Sequence, residues 1–424
     1  MTEKEEYLIP YSEFIKAYKE CRRAKRMKKS ALQYERMWIY DLPILCDEVN
    51  NMTYEIGESI TFVVSKPKRR EVFAADFRDR IVHHLLCSRL IPLFDQYFID
   101  DTYNCRKGMG TLYGIKRLYA HIKEISENYT KDCWVAKFDM RGFFMSIDKG
   151  LLWKKLKAFI TEKYNGNDKQ LILWLTEKIA MHSPEKHCVK IMSDKAWEHL
   201  PDDKSLFTNG NGKGLPIGNL TSQIFANFYL TDFDKMMTER FEAYGRYVDD
   251  FYIVTKDKRR MMKFIPVIRK ELLKLSITLH PSKVYVQHYK AGMAFTGGVC
   301  KPGRKYIANR TIHNCMLAIN NFNNYEINSE AILKFTETLN SYLGFMRHHN
   351  NYAVRRQIIK SLHNDIWKYA YICGHFEYMR VKQQYTEEFA LKQRFFRNKT
   401  KKYSQIKRYT NGKKHYSKIT VPAC

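Results

Sequence analysis

The run from Arg246 to Thr255, Arg-Tyr-Val-Asp-Asp-Phe-Tyr-Ile-Val-Thr, is aromatic and β-branched on both sides of two adjacent carboxylates. Acidic residues are poor strand formers and costly to bury unpaired, so Asp249 and Asp250 fit badly inside one continuous buried strand. A tight hairpin with both acids at its tip keeps the flanks extended and lets a cation neutralise the charge. An isolated Asp-Asp is more often a solvated turn. The rest of the chain has to decide between the two.

Its length of 424 residues predicts two or three domains, because single cores stop growing below that size. The formal net charge of +28 exceeds what solubility requires and points to a polyanionic partner, nucleic acid above all. The 29 tyrosines interleaved with bases suit stacking on exposed nucleobases. Ten cysteines are scattered without a CxxC pair or zinc spacing, which predicts free thiols in a reducing cytoplasm. No apolar run reaches the roughly 20 residues of a membrane span, and the polar start Met1-Thr-Glu-Lys-Glu-Glu predicts no signal peptide. The expectation is a cytoplasmic protein with no membrane partner.

Along the chain, residues 1–53 predict a basic helical extension, with Phe14, Tyr18, Cys21 and Ala24 at helical spacing. Lys66 to Phe73 reads as a basic turn between two strands, able to clamp phosphates. A helix is expected from about Asp76 to Leu93. Cys133 to Asp139 alternates like a strand and ends on a carboxylate. Gly214-Leu-Pro-Ile-Gly218 marks a sharp turn before a buried helix, and Lys258 to Leu275 a basic amphipathic one. Short strands are expected at 276–280 and 284–288, and a helical domain at about 306–378. The stretch 390–424 carries no acid and reads equally as a disordered tail or an RNA-binding extension.

If the strand ending at Asp139 lies beside the Asp249–Asp250 hairpin, three carboxylates meet at one sheet edge. Such a set can hold two divalent cations roughly 3.5–4 Å apart, which activate a 3′-hydroxyl and stabilise a leaving pyrophosphate. Mg²⁺ suits it, since that ion takes few carboxylates and fills its shell with water and substrate phosphates.

The order of a basic hairpin, Phe138-Asp139 with Gly142-Phe143-Phe144, Gly214-Leu-Pro-Ile-Gly-Asn-Leu-Thr-Ser-Gln223, Tyr-Val-Asp-Asp and Phe295-Thr-Gly-Gly resembles a reverse transcriptase over roughly residues 55–350. Within that superfamily the Gly214–Gln223 segment, and Leu200-Pro-Asp-Asp-Lys-Ser-Leu-Phe207 ahead of it, look like the enzymes of diversity-generating retroelements. The resemblance implies an α+β right-hand polymerase fold. Fingers would cover 54–130, a palm of antiparallel sheet plus helices 131–305, a helical thumb 306–380 and a basic tail 381–424.

It further implies that Asp139, Asp249 and Asp250, with the Met140 backbone, hold two Mg²⁺ ions, and that Lys283 protonates the leaving pyrophosphate. Lys68, Arg69 and Arg70 would grip the dNTP triphosphate. Phe144 would be the gate against a 2′-hydroxyl, with Phe143 in the core, and Ile217, Gly218 and Gln223 would line the nucleotide site. Arg78, Tyr247 and Arg347 would contact nucleic acid, the last on a thumb tracking the RNA–DNA hybrid. Implied partners are a template RNA and a pentameric accessory variability protein.

Ile217 stands where most reverse transcriptases have glutamine. An apolar side chain cannot make a directed bond worth about 0.5–1.5 kcal/mol, which weakens nucleotide discrimination by up to about tenfold. The resemblance implies the same outcome, error-prone copying chiefly opposite template adenines. Open alternatives are a group II intron or retron-type reverse transcriptase and a non-catalytic RNA-binding scaffold with a vestigial palm.

Overall fold

A computed structural model describes residues 8–387 except 24, 66, 67 and 211, with Ser329 described by its backbone alone. Most of the expected tail, 388–424, and the tip Lys66-Pro67 of the basic hairpin lie outside the described residues. The chain divides into two compact units, one ending at Thr296 and the other starting at Gly297.

Seven strands of the first unit build the region of the acids: β1 (Ser59–Val64), β2 (Arg70–Ala74), β3 (Trp134–Arg141), β4 (Cys188–Lys190), β5 (Ala243–Tyr247), β6 (Asp250–Thr255) and β7 (Thr278–His288). They form two sheets. β2-β1-β4 joins an antiparallel hairpin to a parallel edge strand, and β5-β6-β3-β7 is antiparallel throughout. β3 lies inside the larger sheet because its alternation sends Ala136, Phe138 and Met140 to a buried face, leaving Lys137 and Asp139 on the other. On the buried face Phe138 stacks on Phe251 of β6 at 4.7 Å between centroids, a pair contributing about 0.5–1.5 kcal/mol beyond its area. Helices Leu220–Tyr229 and Thr231–Arg240 supply Phe225, Phe228, Phe233 and Met237 to the same core.

Helix Phe77–Tyr97 starts where Asp76 accepts the Arg78 amide, and it continues through Pro92 past the expected end at Leu93. The N-terminal helices Tyr11–Arg22, Lys29–Tyr34 and Trp38–Asn50 are no separate extension. Phe14, Tyr18, Leu42, Leu45 and Val49 join the core of the larger sheet. Arg78, expected on nucleic acid, is instead held by Asp41 at 3.2 Å and Glu48 at 2.8 Å, so its charge is neutralised within the fold.

β7 is one strand where two were expected. Phe138 pairs with Val284 and Met140 with Leu279, so His280-Pro281-Ser282-Lys283 bulges opposite the single residue Asp139. Pro281, which has no N–H to donate, is tolerated in such a bulge.

In the second unit, helices Asn309–Asn323, Ser329–Met346 and Tyr352–Lys360 bury Ile319, Phe335, Leu343 and Ile358. The boundary falls before the palm–thumb limit expected at 305/306 for a physical reason. Ile307 belongs to this core, and the amides of Lys305 and Ile307 donate to Asn350 and Asn351 side chains at 3.0 Å. The region expected to be helical to about 378 closes instead with a hairpin, Ala370–Cys373 against Tyr378–Val381.

Candidate active site

The two acids sit as their sequence demands. Tyr247 pairs with Asp250 across a two-residue tip, Val248-Asp249. Val248 adopts φ +58°, a left-handed conformation that a β-branched residue holds only when its surroundings enforce it. Two groups do so. The Asn104 side-chain oxygen accepts the Val248 amide at 3.1 Å, and Arg246 Nη1 donates to the Val248 carbonyl at 3.0 Å. Arg246 is wholly buried and paired with buried Asp234 at 2.5 Å, and it donates to Asn227 at 3.0 Å. Asn227 in turn donates to the Asn104 carbonyl at 3.4 Å. The hairpin tip is therefore gripped from below by a closed polar set.

Register brings the third acid alongside, since Asp139 of β3 is the direct partner of Asp250 of β6. The bulge in β7 delivers Lys283 Nζ to within 3.0 Å of Asp139 Oδ1, and Lys137 Nζ lies 3.2 Å from Asp250 Oδ2. Among the described residues no lysine pairs with Asp249 in this way. Desolvation, and then repulsion from Asp250 and Asp139, push its carboxyl up to about 6, with Arg70 pulling the other way. Burial raises Asp250 as well, opposed by Lys137. The Met140 amide donates to the Asp249 carbonyl at 3.1 Å and ties the tip to β3.

Of the bases expected to grip a triphosphate, Arg70 is the one whose charge acts on Asp249. Lys68 and Arg70 are exposed and Arg69 half-buried at the root of the β1–β2 hairpin. Phe144 is half-buried, edge-on to buried Phe143 at 5.6 Å, so Phe143 is the core member of the pair. Ile217 lies beside β2 and accepts the Phe73 amide at 2.8 Å. Gly218 is needed there: φ is +128° and a Cβ would come 2.6 Å from the Phe73 carbonyl oxygen. Gln223 is exposed and accepts the Cys105 thiol at 2.9 Å. Tyr247 is half-buried next to Asp249. Arg347 belongs to the second unit, exposed at the end of helix Ser329–Met346.

The sequence reading missed Lys137, although a base two positions before Asp139 shares its strand face and was open to that inference. Asn104, Asn227 and Asp234 carried no local signal.

Asp250 Oδ1 is buried and has no hydrogen-bond partner among the described residues, and Asp249 is ionised only at a cost. Both observations suit a cation. Among the described residues no three His, Cys, Asp or Glu side chains form a ready-made metal cage. The donor set thus fits an ion that takes few carboxylates and completes its shell with substrate phosphates and water.

The reverse transcriptase (RNA-dependent DNA polymerase) family model matches residues 65–344, which is 280 of 424 residues. Protein YkfC of Escherichia coli (strain K12) is 22% identical over 294 residues, 61% of this chain and 70% of that protein. Among solved structures, the chain is similar to telomerase from Candida albicans bound to a fragment of telomeric RNA, at a TM-score of 0.46 and 13% identity. That match covers 74% of this chain and 56% of the telomerase. Apo telomerase from Candida tropicalis gives a TM-score of 0.45 at 12% identity, covering 73% of this chain and 59% of that one. The chain therefore spans a little over half the length of these telomerases.

Proposed function

Since the chain belongs to the reverse transcriptase family and is an RNA-directed DNA polymerase of the right-hand fold, we propose that it makes error-prone, adenine-mutagenised cDNA from a template-repeat RNA in a diversity-generating retroelement. The observation that carries the finer reading is Ile217. It lies against the strand of Arg70, and its side chain has no polar atom to offer an incoming dNTP.

In this reading Asp139, Asp249 and Asp250 would hold Mg²⁺, with the Met140 backbone beside them, and the metal supplies charge stabilisation to the reacting phosphate when bound. Lys283 pairs with Asp139 and would give a proton to the departing pyrophosphate. Arg70, whose charge is felt at Asp249, binds the triphosphate together with Lys68 and Arg69. Phe144 excludes a 2′-hydroxyl, and Gly218, Gln223 and Tyr247 border the nascent pair. The first unit supplies fingers and palm, and the second is a thumb that presents Arg347 to the hybrid. The pentameric accessory protein of such a system would meet this chain, at +28, through the shared template RNA.

The test is cDNA synthesis from the neighbouring RNA in Mg²⁺, with products sequenced for errors at adenines. Product that persists in Asp249→Ala would overturn the assigned site, and a parent chain that yields no product would favour a vestigial palm. Faithful product would favour an intron or retron-type enzyme.

A further inference from the structure

The segment between β4 and the Gly214 turn is tied to one side of the nucleotide site through one buried carboxylate. Glu71, on β2 between Arg70 and Val72, is fully buried, and among the described residues no Lys, Arg or His makes an ion pair with it. Its oxygens take three donors, all from one stretch of chain. Trp197 Nε1 donates at 2.7 Å, Ser205 Oγ at 2.8 Å and the Leu206 amide at 2.7 Å. A buried carboxylate without a cation persists only when hydrogen bonds replace its hydration, so these three donors are required by the charge.

The same stretch reaches the opposite side. Arg141 Nε donates to Asp203 at 2.7 Å, and a Cβ on Gly142, the residue before Phe143, would come 2.7 Å from the Asp203 carbonyl oxygen. Asn209 donates to the Met145 carbonyl. Between the two sides, Phe73, Met145 and Leu206 form a small buried cluster against which Phe207 and Ile217 pack. A Cβ on Gly214 would strike Leu206 at 2.5 Å, so this stretch also presses on the turn that carries Ile217.

We infer that Glu71 is a positioning residue, and that through it the stretch Trp197–Phe207 acts as a floor for the dNTP site that sets Arg70 against Ile217 and Phe144. The inference rests on the polymerase reading of that site. Glu71 does not touch substrate. It acts by fixing the strand whose neighbouring residue does.

The test uses the full chain in single-nucleotide primer extension on an RNA template, with the error spectrum read by sequencing. Trp197→Phe keeps the ring and deletes one donor. It should raise the dNTP KM by about three- to tenfold, the equivalent of one hydrogen bond, with kcat changed less than twofold. Ser205→Ala should do the same, and the pair combined with Glu71→Gln should be less than additive, because all three act on one carboxylate. Misincorporation should change in the same variants. If KM and error spectrum stay at parental values while only the melting temperature falls, the stretch is a structural filler and the inference fails. Loss of KM and kcat in equal proportion would also overturn it. Asp249→Ala run in parallel separates the two levels: an active Asp249→Ala sinks the active-site assignment on which the floor rests, whereas an inactive one beside unchanged Trp197→Phe kinetics sinks only the floor.

Discussion

Replacing Asp249 by asparagine should stabilise the metal-free protein while ending its chemistry. The Asp249 carboxyl is raised from the ordinary 3.8 to about 6 by desolvation and by repulsion from Asp250 and Asp139. A folded-state value above the unfolded one means that the native state binds this proton more tightly. Ionised Asp249 therefore opposes folding above about pH 6, and the penalty disappears below about pH 4. About two pH units at about 1.4 kcal/mol each make the cost roughly 3 kcal/mol at neutral pH. Asparagine keeps the shape and removes the charge, so most of that cost should be recovered.

Urea unfolding followed by tryptophan fluorescence reports mainly on this unit, which holds Trp38, Trp134, Trp153, Trp174 and Trp197 of the six tryptophans. In EDTA at pH 7.5, D249N should exceed the parent by roughly 2–3 kcal/mol, and the gap should shrink to about 1 kcal/mol on acidification to pH 4.5. Mg²⁺ should raise the parent's midpoint more than the variant's, and D249N should yield no cDNA. The reasoning is refuted by a variant no more stable than the parent at pH 7.5, or by a gap that does not shrink in acid.

Asp234→Asn leaves the wholly buried Arg246 without its counter-charge and should cost about 3–5 kcal/mol in the same urea titration, with primer extension falling as the hairpin tip loosens. Gly245→Ala drives a methyl into the Tyr103 hydroxyl and to 2.6 Å from the Tyr252 ring, and overpacking there should cost about 1–3 kcal/mol, seen as a lowered thermal midpoint. Ile217→Gln should retain polymerisation and reduce misincorporation by up to about tenfold, measured by sequencing extended primers. An unchanged error rate would remove Ile217 from the account of fidelity.

The hairpin, β3 and the helix beginning at Leu220 were legible because alternation, caps and turn residues act over a few positions. That Asp139 faces Asp250 was only conditional at the sequence level, since register between strands a hundred residues apart leaves no local trace. β7 read as two strands because Pro281 interrupts the pattern, and the bulge that absorbs it is what carries Lys283 to Asp139. Arg78 looked like one more base in a basic chain. Only packing of the N-terminal helices revealed Asp41 and Glu48 as its partners. Asn104 and Asn227 hold the tip through backbone atoms of other segments, and isolated asparagines carry no periodic signature.

The strand order β5-β6-β3-β7 also has a consequence for synthesis on the ribosome. β3 is made first among the four, and both of its edges wait for partners that follow much later. From Arg141 to His288 there are 147 residues, which at about 5–20 residues per second take about 7–30 s to emerge. Until β6 and then β7 emerge, Trp134-Val-Ala-Lys-Phe138 is an apolar strand with at least one unpaired edge, a template for pairing with other nascent chains. Slower growth temperatures or added holdase chaperones should raise soluble yield, and truncations that remove β7 should aggregate rather than shorten the enzyme cleanly.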